Sequence, residues 1–321
     1  MSQAMEATRA SFGRMLDGLM PDEEIEKTLL ELADKGETPA DIAGAATAMR
    51  ERMTRITAPA RAIDVCGTGG DGQHSLNVST ATAIVVAACG VPVAKHGNRA
   101  ASSKAGTADT FEALGLDLDA ASTRAEATLA DIGIAFLFAQ SHHPAMRHVM
   151  PIRRKIGRRT IFNLIGPLAN PAGVARQLVG VAHPDLVPLY REAMALLGTK
   201  AAMIVSGEEG LDEISVEGGT RIAAIGLPGV AERITPENAG LLSHPLEELR
   251  GGEADYNAAA LRRLLDGEDG AYRNAVLLNS AGALIVAGEA SGWRDGAEMA
   301  AEAIDSGKAS GLLDRWIAVC Q

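Results

Sequence analysis

The first sixty residues place apolar side chains at helical spacing. Ile25, Leu29 and Leu32 recur at intervals of three and four, which puts them on one face of a helix. Polar residues fill the positions between them, and no alternating strand pattern occurs in this stretch. We therefore predict a small helical domain over residues 1–60, completed by helices from about residues 143–175.

From residue 62 onwards, short apolar runs are separated by helix signals, and these runs predict strands. The predicted strands cover residues 62–66, 91–94, 134–138, 178–181, 201–205 and 221–225. Because strands that alternate with helices form a sheet covered on its faces, we predict an α/β domain over residues 61–321. Its central sheet is expected to be mostly parallel and flanked by helices.

Residues with capping side chains mark the expected helix starts. Ser79 or Thr80 is predicted to cap the helix after the first strand, Thr107 to begin the next one, and Ser122 or Thr123 to begin a third. The last part of the chain reads mostly as helix. Its predicted helices cover residues 254–265, 273–287 and 296–304.

Composition narrows the class of protein. The 321 residues are 47% hydrophobic and 22% charged, the balance of a globular protein, and the net charge is −11. An acidic chain repels nucleic acid at long range, so we expect no nucleic-acid partner. The longest apolar stretch is too short to span a bilayer. Three cysteines without metal or redox spacing indicate reduced packing residues, and we expect a cytoplasmic protein with no membrane contact.

The first candidate motif follows the first predicted strand. It runs Gly67-Thr68-Gly69-Gly70-Asp71, and Asn77-Val78-Ser79-Thr80 follows at the start of a helix. Glycines bring backbone N–H groups close to a ligand, and a helix N-terminus favours anions, so the pair predicts a phosphate or pyrophosphate site. Asp71 is suited to ribose hydroxyls or to a metal-bound water. The alternative is a plain glycine-rich turn.

The second motif lies after the next predicted strand. Lys95-His96-Gly97-Asn98-Arg99 is followed by Ser102, Ser103 and Thr107. Lys95 supplies a point charge and Arg99 a two-pronged donor, which suits an anion cradle. The alternative is a solvated basic turn. Because the carboxyl ends of neighbouring strands collect ligands in α/β sheets, we favour the cradle.

Taken in order, the motifs resemble the anthranilate phosphoribosyltransferase family over nearly the whole chain. Besides the two motifs above, the resemblance rests on residues 143–146, 159–163, 166–168, 211–213 and 279–282. It implies transfer of the phosphoribosyl group of phosphoribosyl pyrophosphate (PRPP) to the amine of anthranilate. It also implies two Mg²⁺ ions per monomer and a homodimer formed through the helical domain.

The resemblance implies roles for individual residues. PRPP is expected to contact Gly67, Gly70, Asp71, Ser75, Asn77, Val78, Ser79, Thr80, Lys95, His96, Gly97, Asn98, Arg99, Ser102, Ser103 and Thr107. Anthranilate is expected to contact Gly67, His96, Asn98, His143 and Arg153. The expected Mg²⁺ ligands are Ser79, Asp212 and Glu213, and the expected catalytic residues are Lys95, Asn98 and Arg153.

Plainer interpretations of these residues remain. Asp212-Glu213 by itself reads as a solvated acidic turn, and His143 as a packed or surface histidine. Two other functions fit the same plan. A pyrimidine nucleoside phosphorylase would use phosphate as the nucleophile, and a non-catalytic relative would bind nucleic acid through a basic surface. The acidic pI of about 5.2 disfavours the second.

Overall fold

The computed structural model describes residues 2–100 and 104–321. Within these ranges the strands form a single sheet with the order β3-β2-β1-β4-β5-β6-β7. The strands are β1 Ile63–Gly67, β2 Val93–Gly97, β3 Ile134–Phe138, β4 Arg176–Gly180, β5 Ala201–Gly207, β6 Thr220–Ile225 and β7 Arg233–Ile234. Strands β1 to β5 pair in parallel, whereas β6 and β7 are antiparallel. The predicted α/β class with a mostly parallel sheet is confirmed.

The helices of the described residues precede, alternate with and follow these strands. They are α1 Gln3–Leu16, α2 Asp22–Lys35, α3 Pro39–Arg50, α4 Val78–Ala88, α5 Thr107–Ala113, α6 Leu118–Thr123, α7 Ala125–Asp131, α8 Ala139–His142, α9 Met150–Ile156, α10 Phe162–Ile165, α11 Leu186–Leu196, α12 Ala254–Leu265, α13 Ala271–Ala287, α14 Trp293–Asp305 and α15 Lys308–Val319. None of them has the length and apolar character needed to cross a membrane.

Local sequence signals explain where the N-terminal helices begin and end. Helix α2 ends at Gly36, whose φ of 83° is accessible to glycine at little cost. Helix α3 begins with a capping box, in which Thr38 accepts from the Asp41 N–H and the Asp41 carboxylate accepts from the Thr38 N–H. The capping box satisfies two N–H groups that have no partner within the helix. The helical pattern of the first sixty residues corresponds to helices α1, α2 and α3.

Three predicted boundaries are wrong. Helix α4 begins at Val78 with Asn77 as its N-cap residue, so neither Ser79 nor Thr80 caps it. Strand β2 continues through Gly97, because its last residues pair with β3, although the apolar run stops at residue 94. The helix predicted to begin at Ser122 or Thr123 is two helices, the first of which is capped by Asp117.

The strand order places a ligand site at one edge of the sheet. The chain adds β2 and β3 on one side of β1 and then crosses to add β4 and β5 on the other side. In open α/β sheets, such a reversal leaves a crevice at the carboxyl ends of the strands. Two apolar cores cover the two faces of the sheet, one with α4 and α13 and the other with α1 to α3 and α11.

Candidate active site

The loops that follow β1 and β5 meet at the reversal of strand order. A side-chain carbon added at Gly67 or at Gly180 would collide with Asp212, so both positions accept only glycine without rearrangement. The Gly69 N–H donates to Asp212 Oδ2 at 2.7 Å. Gly69 and Gly70 have φ values of 67° and 79°, which are left-handed conformations that favour glycine. The glycine-rich segment is therefore shaped around the aspartate.

Three carboxylates lie together at this point. Asp71 Oδ2 accepts from the Asp212 N–H at 3.4 Å, and Glu213 Oε1 accepts from the Ser79 N–H at 3.0 Å. Burial raises the pKa of Asp212 and of Glu213, and the negative charge of their neighbours raises each pKa further. The positive charge of Lys95 lowers the pKa of Glu213 without reversing the upward shift, and no salt bridge among the described residues involves either acid. The site therefore contains more negative charge than its surroundings compensate.

The start of α4 provides the other wall of this pocket. The Ser79 hydroxyl accepts from Lys95 Nζ at 3.2 Å, and the Thr80 hydroxyl donates to the Thr107 hydroxyl at 3.2 Å. Val78 offers no group to a ligand, because its side chain is buried in the core and its N–H is donated to the Leu76 carbonyl. The predicted contact of Val78 with PRPP stays a prediction, and the Val78 side chain and N–H are both occupied within the protein.

The Asn77 side chain is fully engaged within the protein. Its Oδ1 accepts from the Thr110 hydroxyl at 2.7 Å and from Asn257 Nδ2 at 2.8 Å, and its Nδ2 donates to the Ala105 carbonyl. The Tyr272 hydroxyl donates to its backbone carbonyl at 3.1 Å. These hydrogen bonds fix the start of α4, and the predicted contact of Asn77 with PRPP stays a prediction. Sequence patterns gave no signal for Asn257 or Tyr272.

Lys95 lies inside the protein and not on an open cradle. Its side chain is only 1% exposed, and its ammonium donates to the Val65 carbonyl at 2.7 Å as well as to the Ser79 hydroxyl. The position follows from the extension of β2, which directs this side chain into the space under α4. In this structure Lys95 is connected to the start of α4 through Ser79, and its predicted direct contact with an anion stays a prediction.

Arg99 is also committed to partners within the protein. Its guanidinium pairs with Glu112 and with Asp109, the latter at 2.9 Å, on α5. These hydrogen bonds raise the pKa of Arg99, and they occupy the donors that were predicted to hold an anion. Asp109 also accepts from the N–H groups of Ala100 and Gly106, at 3.0 and 2.9 Å. This carboxylate joins the two ends of the segment that carries Ser102 and Ser103, which lie outside the described residues.

Asn98, Gly97 and Ser75, the remaining positions of the two motifs, differ in what surrounds them. Asn98 is exposed, and its Oδ1 accepts from the Arg99 N–H at 2.8 Å. A side-chain carbon at Gly97 would lie 2.9 Å from Phe136 and 3.2 Å from Thr107. Ser75 forms an isolated antiparallel bridge with Arg250. Asn98 therefore keeps an exposed amide, whereas Gly97 and Ser75 shape the backbone.

His96 and His143 form a buried pair. His96 Nδ1 lies 3.1 Å from the Gly166 carbonyl, and the two Nε2 atoms are 3.2 Å apart. A carbonyl only accepts, so His96 has its proton on Nδ1 and His143 donates from Nε2. Burial lowers the pKa of His96 to about 3 and that of His143 to about 4. Both rings are neutral at pH 7, and neither wraps a phosphate as a cation.

Arg153 is a partly buried cation without a carboxylate. Its guanidinium lies 5.3 Å from the centroid of the Phe162 ring and donates weakly to Met150 Sδ at 3.7 Å. Burial lowers the pKa of Arg153. No acidic side chain of the described residues pairs with it, although neighbouring Lys155 and Arg158 both form ion pairs. Arg153 is therefore suited to an anion that is not part of the chain.

The acidic residues fit Mg²⁺ better than a caged metal. No group of three or more His, Cys, Asp or Glu side chains in the described part of the chain forms a ready metal cluster. Mg²⁺ keeps water and commonly binds through one or two carboxylates and the phosphates of a substrate. Asp212, Glu213 and the Ser79 hydroxyl offer such oxygens. Burial and neighbouring negative charge raise the pKa of both acids, so a bound cation would favour their charged forms.

Comparisons with known proteins agree with this geometry. Residues 59–310 match the glycosyl transferase family, a/b domain. An anthranilate phosphoribosyltransferase from Novosphingobium aromaticivorans is 61% identical over 313 residues, which are 97% of this chain and 95% of that protein. One from Sphingopyxis alaskensis is 61% identical over 309 residues, which are 96% and 93% of the two chains.

Solved structures give the same result. The anthranilate phosphoribosyltransferase of Thermus thermophilus superposes with a TM-score of 0.94 at 42% identity, covering 98% of this chain and 95% of that one. The enzyme of Saccharomyces cerevisiae, in complex with PRPP and Mg, gives 0.89 at 28% identity, covering 98% and 93%. The chain belongs to the anthranilate phosphoribosyltransferase family.

Proposed function

We propose that this chain transfers the 5-phosphoribosyl group of PRPP to the amine of anthranilate, giving N-(5-phosphoribosyl)anthranilate and pyrophosphate. This is the second step of tryptophan biosynthesis from chorismate. The observation that carries the proposal is the pair of carboxylates Asp212 and Glu213, which lie against a glycine-rich loop and a helix start. No salt bridge among the described residues neutralises their negative charge. Such a pocket suits a diphosphate that arrives with its own cations.

The reaction replaces one bond at C1 of the ribose with another. The lone pair of the anthranilate nitrogen forms the new C–N bond, and the C–O bond to pyrophosphate breaks, with its electron pair leaving on the pyrophosphate. An aromatic amine is neutral at pH 7, so no strong base is required before the attack. Mg²⁺, held by Asp212, Glu213 and Ser79, supplies charge that stabilises the leaving group.

The protein's own groups account for the binding of both substrates. The N–H groups of the glycine-rich loop and the Ser79 hydroxyl, polarised by Lys95, face the diphosphate. Arg153 forms a two-pronged ion pair with the anthranilate carboxylate, and Asn98 orients the ring. The neutral pair His96–His143 lines the path of the acceptor. Orientation of the two substrates then supplies much of the rate enhancement.

Further parts of the proposal concern assembly and metal content. We propose two Mg²⁺ ions per monomer, both carried on the pyrophosphate.

We also propose that residues 1–60, with those from about 143–175, form a helical domain that makes a homodimer and contributes Arg153. The remaining α/β domain, residues 61–321, contributes the PRPP pocket. The yeast relative solved with 4-fluoroanthranilate supports an aromatic acceptor of this class. We place the enzyme in the cytoplasm.

A fluorescence assay tests the activity directly. Purified protein is mixed with anthranilate, PRPP and Mg²⁺, and the loss of anthranilate fluorescence is followed while each component is omitted in turn. The proposal requires turnover only in the complete mixture. Phosphate-dependent release of thymine from thymidine, with no use of PRPP, would instead identify a nucleoside phosphorylase.

A further inference from the structure

Asn279 on α13 holds the residue that follows the acidic pair. Its side chain is fully buried, its Oδ1 accepts from the Ile214 N–H at 3.0 Å, and its Nδ2 donates to the Ile214 carbonyl at 3.2 Å. The second Nδ2 hydrogen is donated to the Ala275 carbonyl at 2.9 Å. A carboxamide has the donor and the acceptor that match both polar groups of one residue's backbone. The amide therefore fixes Ile214 in one position.

The same face of α13 leaves space for the Ile214 side chain. Gly282 lies one turn after Asn279, and a side-chain carbon there would be 2.9 Å from Ile214 Cδ1. Ile214 is fully buried. Asn279 and Gly282 together form a seat, with hydrogen bonds to the backbone of Ile214 and room for its side chain.

Helix α13 also holds the opposite wall of the pocket. Tyr272 lies seven residues before Asn279 and therefore on nearly the same face, and its hydroxyl donates to the Asn77 carbonyl at 3.1 Å. Asn77 caps α4, whose Ser79 N–H donates to Glu213 Oε1. One helix thus fixes two segments that meet at Glu213.

We propose that Asn279 is a positioning residue for the carboxylates of Asp212 and Glu213, acting through the backbone of Ile214. Burial and mutual repulsion disfavour the placement of these two charged groups side by side, so a backbone that was free to move would separate them. The hydrogen bonds from Asn279 oppose that movement. This inference rests on the proposed role of the pair as Mg²⁺ ligands.

The test compares Asn279→Leu with two neighbours on the same helix. Leucine is neutral and similar in size but offers no hydrogen bonds. Ser280→Ala removes a buried hydroxyl that has no hydrogen-bond partner among residues 2–100 and 104–321. Asn274→Ala removes an amide that is bonded to the Leu242 carbonyl and not to Ile214. Both controls should leave the Mg²⁺ dependence unchanged.

Two measurements do not depend on turnover. In calorimetric titrations of PRPP without anthranilate, the Mg²⁺ concentration for half-maximal binding should rise about tenfold in Asn279→Leu, as expected for the loss of hydrogen bonds that orient a ligand group. Amide hydrogen exchange of Ile214 in metal-free protein should become faster. The KM for anthranilate should remain within about twofold, because Arg153 is not connected to the seat.

The possible results separate the explanations. An unchanged Mg²⁺ titration in Asn279→Leu, or equal weakening of Mg²⁺·PRPP and anthranilate, would overturn the positioning role. If Asn279→Leu does not fold, Gly282→Ala decides: it should shift the Mg²⁺ titration by about threefold through the Ile214 side chain, and no shift would reject the inference. Wild-type protein that binds no PRPP with Mg²⁺ would refute the proposed function instead, whereas protection of the Ile214 amide would still be observed.

Discussion

The acidic and the cationic ends of the site both contain buried charge, but the protein supports them to different degrees. Glu213 accepts from the Ser79 N–H, Asp212 accepts from the Gly69 N–H, and glycines at positions 67 and 180 make room for them. Arg153 lies over the Phe162 ring and donates to Met150 Sδ, and it forms no salt bridge within the part of the chain that the structure describes. The acids must be held against mutual repulsion, whereas a single cation needs only access to an anion.

The titration of the two ends differs as well. Burial and the neighbouring carboxylates raise the pKa of Asp212 and of Glu213, so a bound cation would relieve their repulsion. A guanidinium remains charged at any physiological pH. The acidic end is therefore suited to a ligand that brings cations, while the cationic end attracts an anion such as a carboxylate.

The largest expected effect comes from removing the acidic end. Asp212→Asn combined with Glu213→Gln should lower kcat/KM by about a thousandfold or more, because the pyrophosphate then leaves without its bound cations. The Mg²⁺ dependence of turnover measures the effect. The matched control is Asp22→Asn with Glu23→Gln, an adjacent acidic pair in the first turn of α2. A double variant that keeps its normal Mg²⁺ dependence would show that the metal binds elsewhere.

The next effect concerns the cationic end. Arg153→Ala should raise the KM for anthranilate by about a hundredfold, the scale of a lost charge-assisted hydrogen-bond pair, and change the KM for PRPP little. Arg154→Ala, an exposed neighbour on the same helix, serves as the control. Equal changes in both KM values would mean that Arg153 does not hold the acceptor.

A pH experiment examines the neutral histidines, a third kind of buried titratable group. The folded pKa of His143, about 4, lies below its ordinary value of 6.5, so the unfolded chain binds the proton more readily. Stability is therefore present above pH 6.5 and is lost as the pH falls towards 4. Between pH 7 and 5 this group should cost about 2 kcal/mol of unfolding free energy. His143→Asn should reduce the slope of the profile in urea titrations by about this amount, with His96 still contributing, and an unchanged slope would contradict the assigned pKa.

The smallest effect is expected at Arg99. The guanidinium of Arg99 is occupied by Asp109 and Glu112, and exposed ion pairs of this kind contribute little to stability. Arg99→Ala should therefore change the KM for PRPP by less than about threefold. The measurement is a PRPP titration at saturating anthranilate. An increase of tenfold or more would show that the arginine leaves α5 when PRPP binds.

The sequence predicted the site best where local chemistry sets the backbone. The apolar run before Gly67 and the glycines after it act within a few residues, and the structure contains both. The two motifs were expected at the carboxyl ends of neighbouring strands, and β1 and β2 are paired in the sheet. Patterns of this range account for most of the fold.

The errors concern partners that are distant in the sequence. The apolar pattern ended strand β2 at residue 94, but pairing with β3 extends it and buries Lys95. No local feature reveals that α5 presents two acids to Arg99, so its ion pairs were not predicted, and its contact with PRPP stays a prediction. The hydrogen bonds of Asn257 and Asn279 join residues 65 to 180 positions apart, and no periodicity marks them. Helix α15 lacked a start signal, since it follows Gly307 without a capping side chain.

The hydrogen bonds of Asp109 affect the entropic part of the free energy of substrate binding. Its carboxylate accepts from the N–H groups of Ala100 and Gly106, so the ends of this short segment are joined before any ligand arrives. Fixing two positions of a chain relative to each other lowers the conformational entropy, and Ala100 and Gly106 are fixed in this way without a ligand. A ligand that binds beside Ala100 and Gly106 therefore loses less of its binding free energy to ordering these two residues. Replacing this aspartate should weaken such a ligand without removing any atom that touches it.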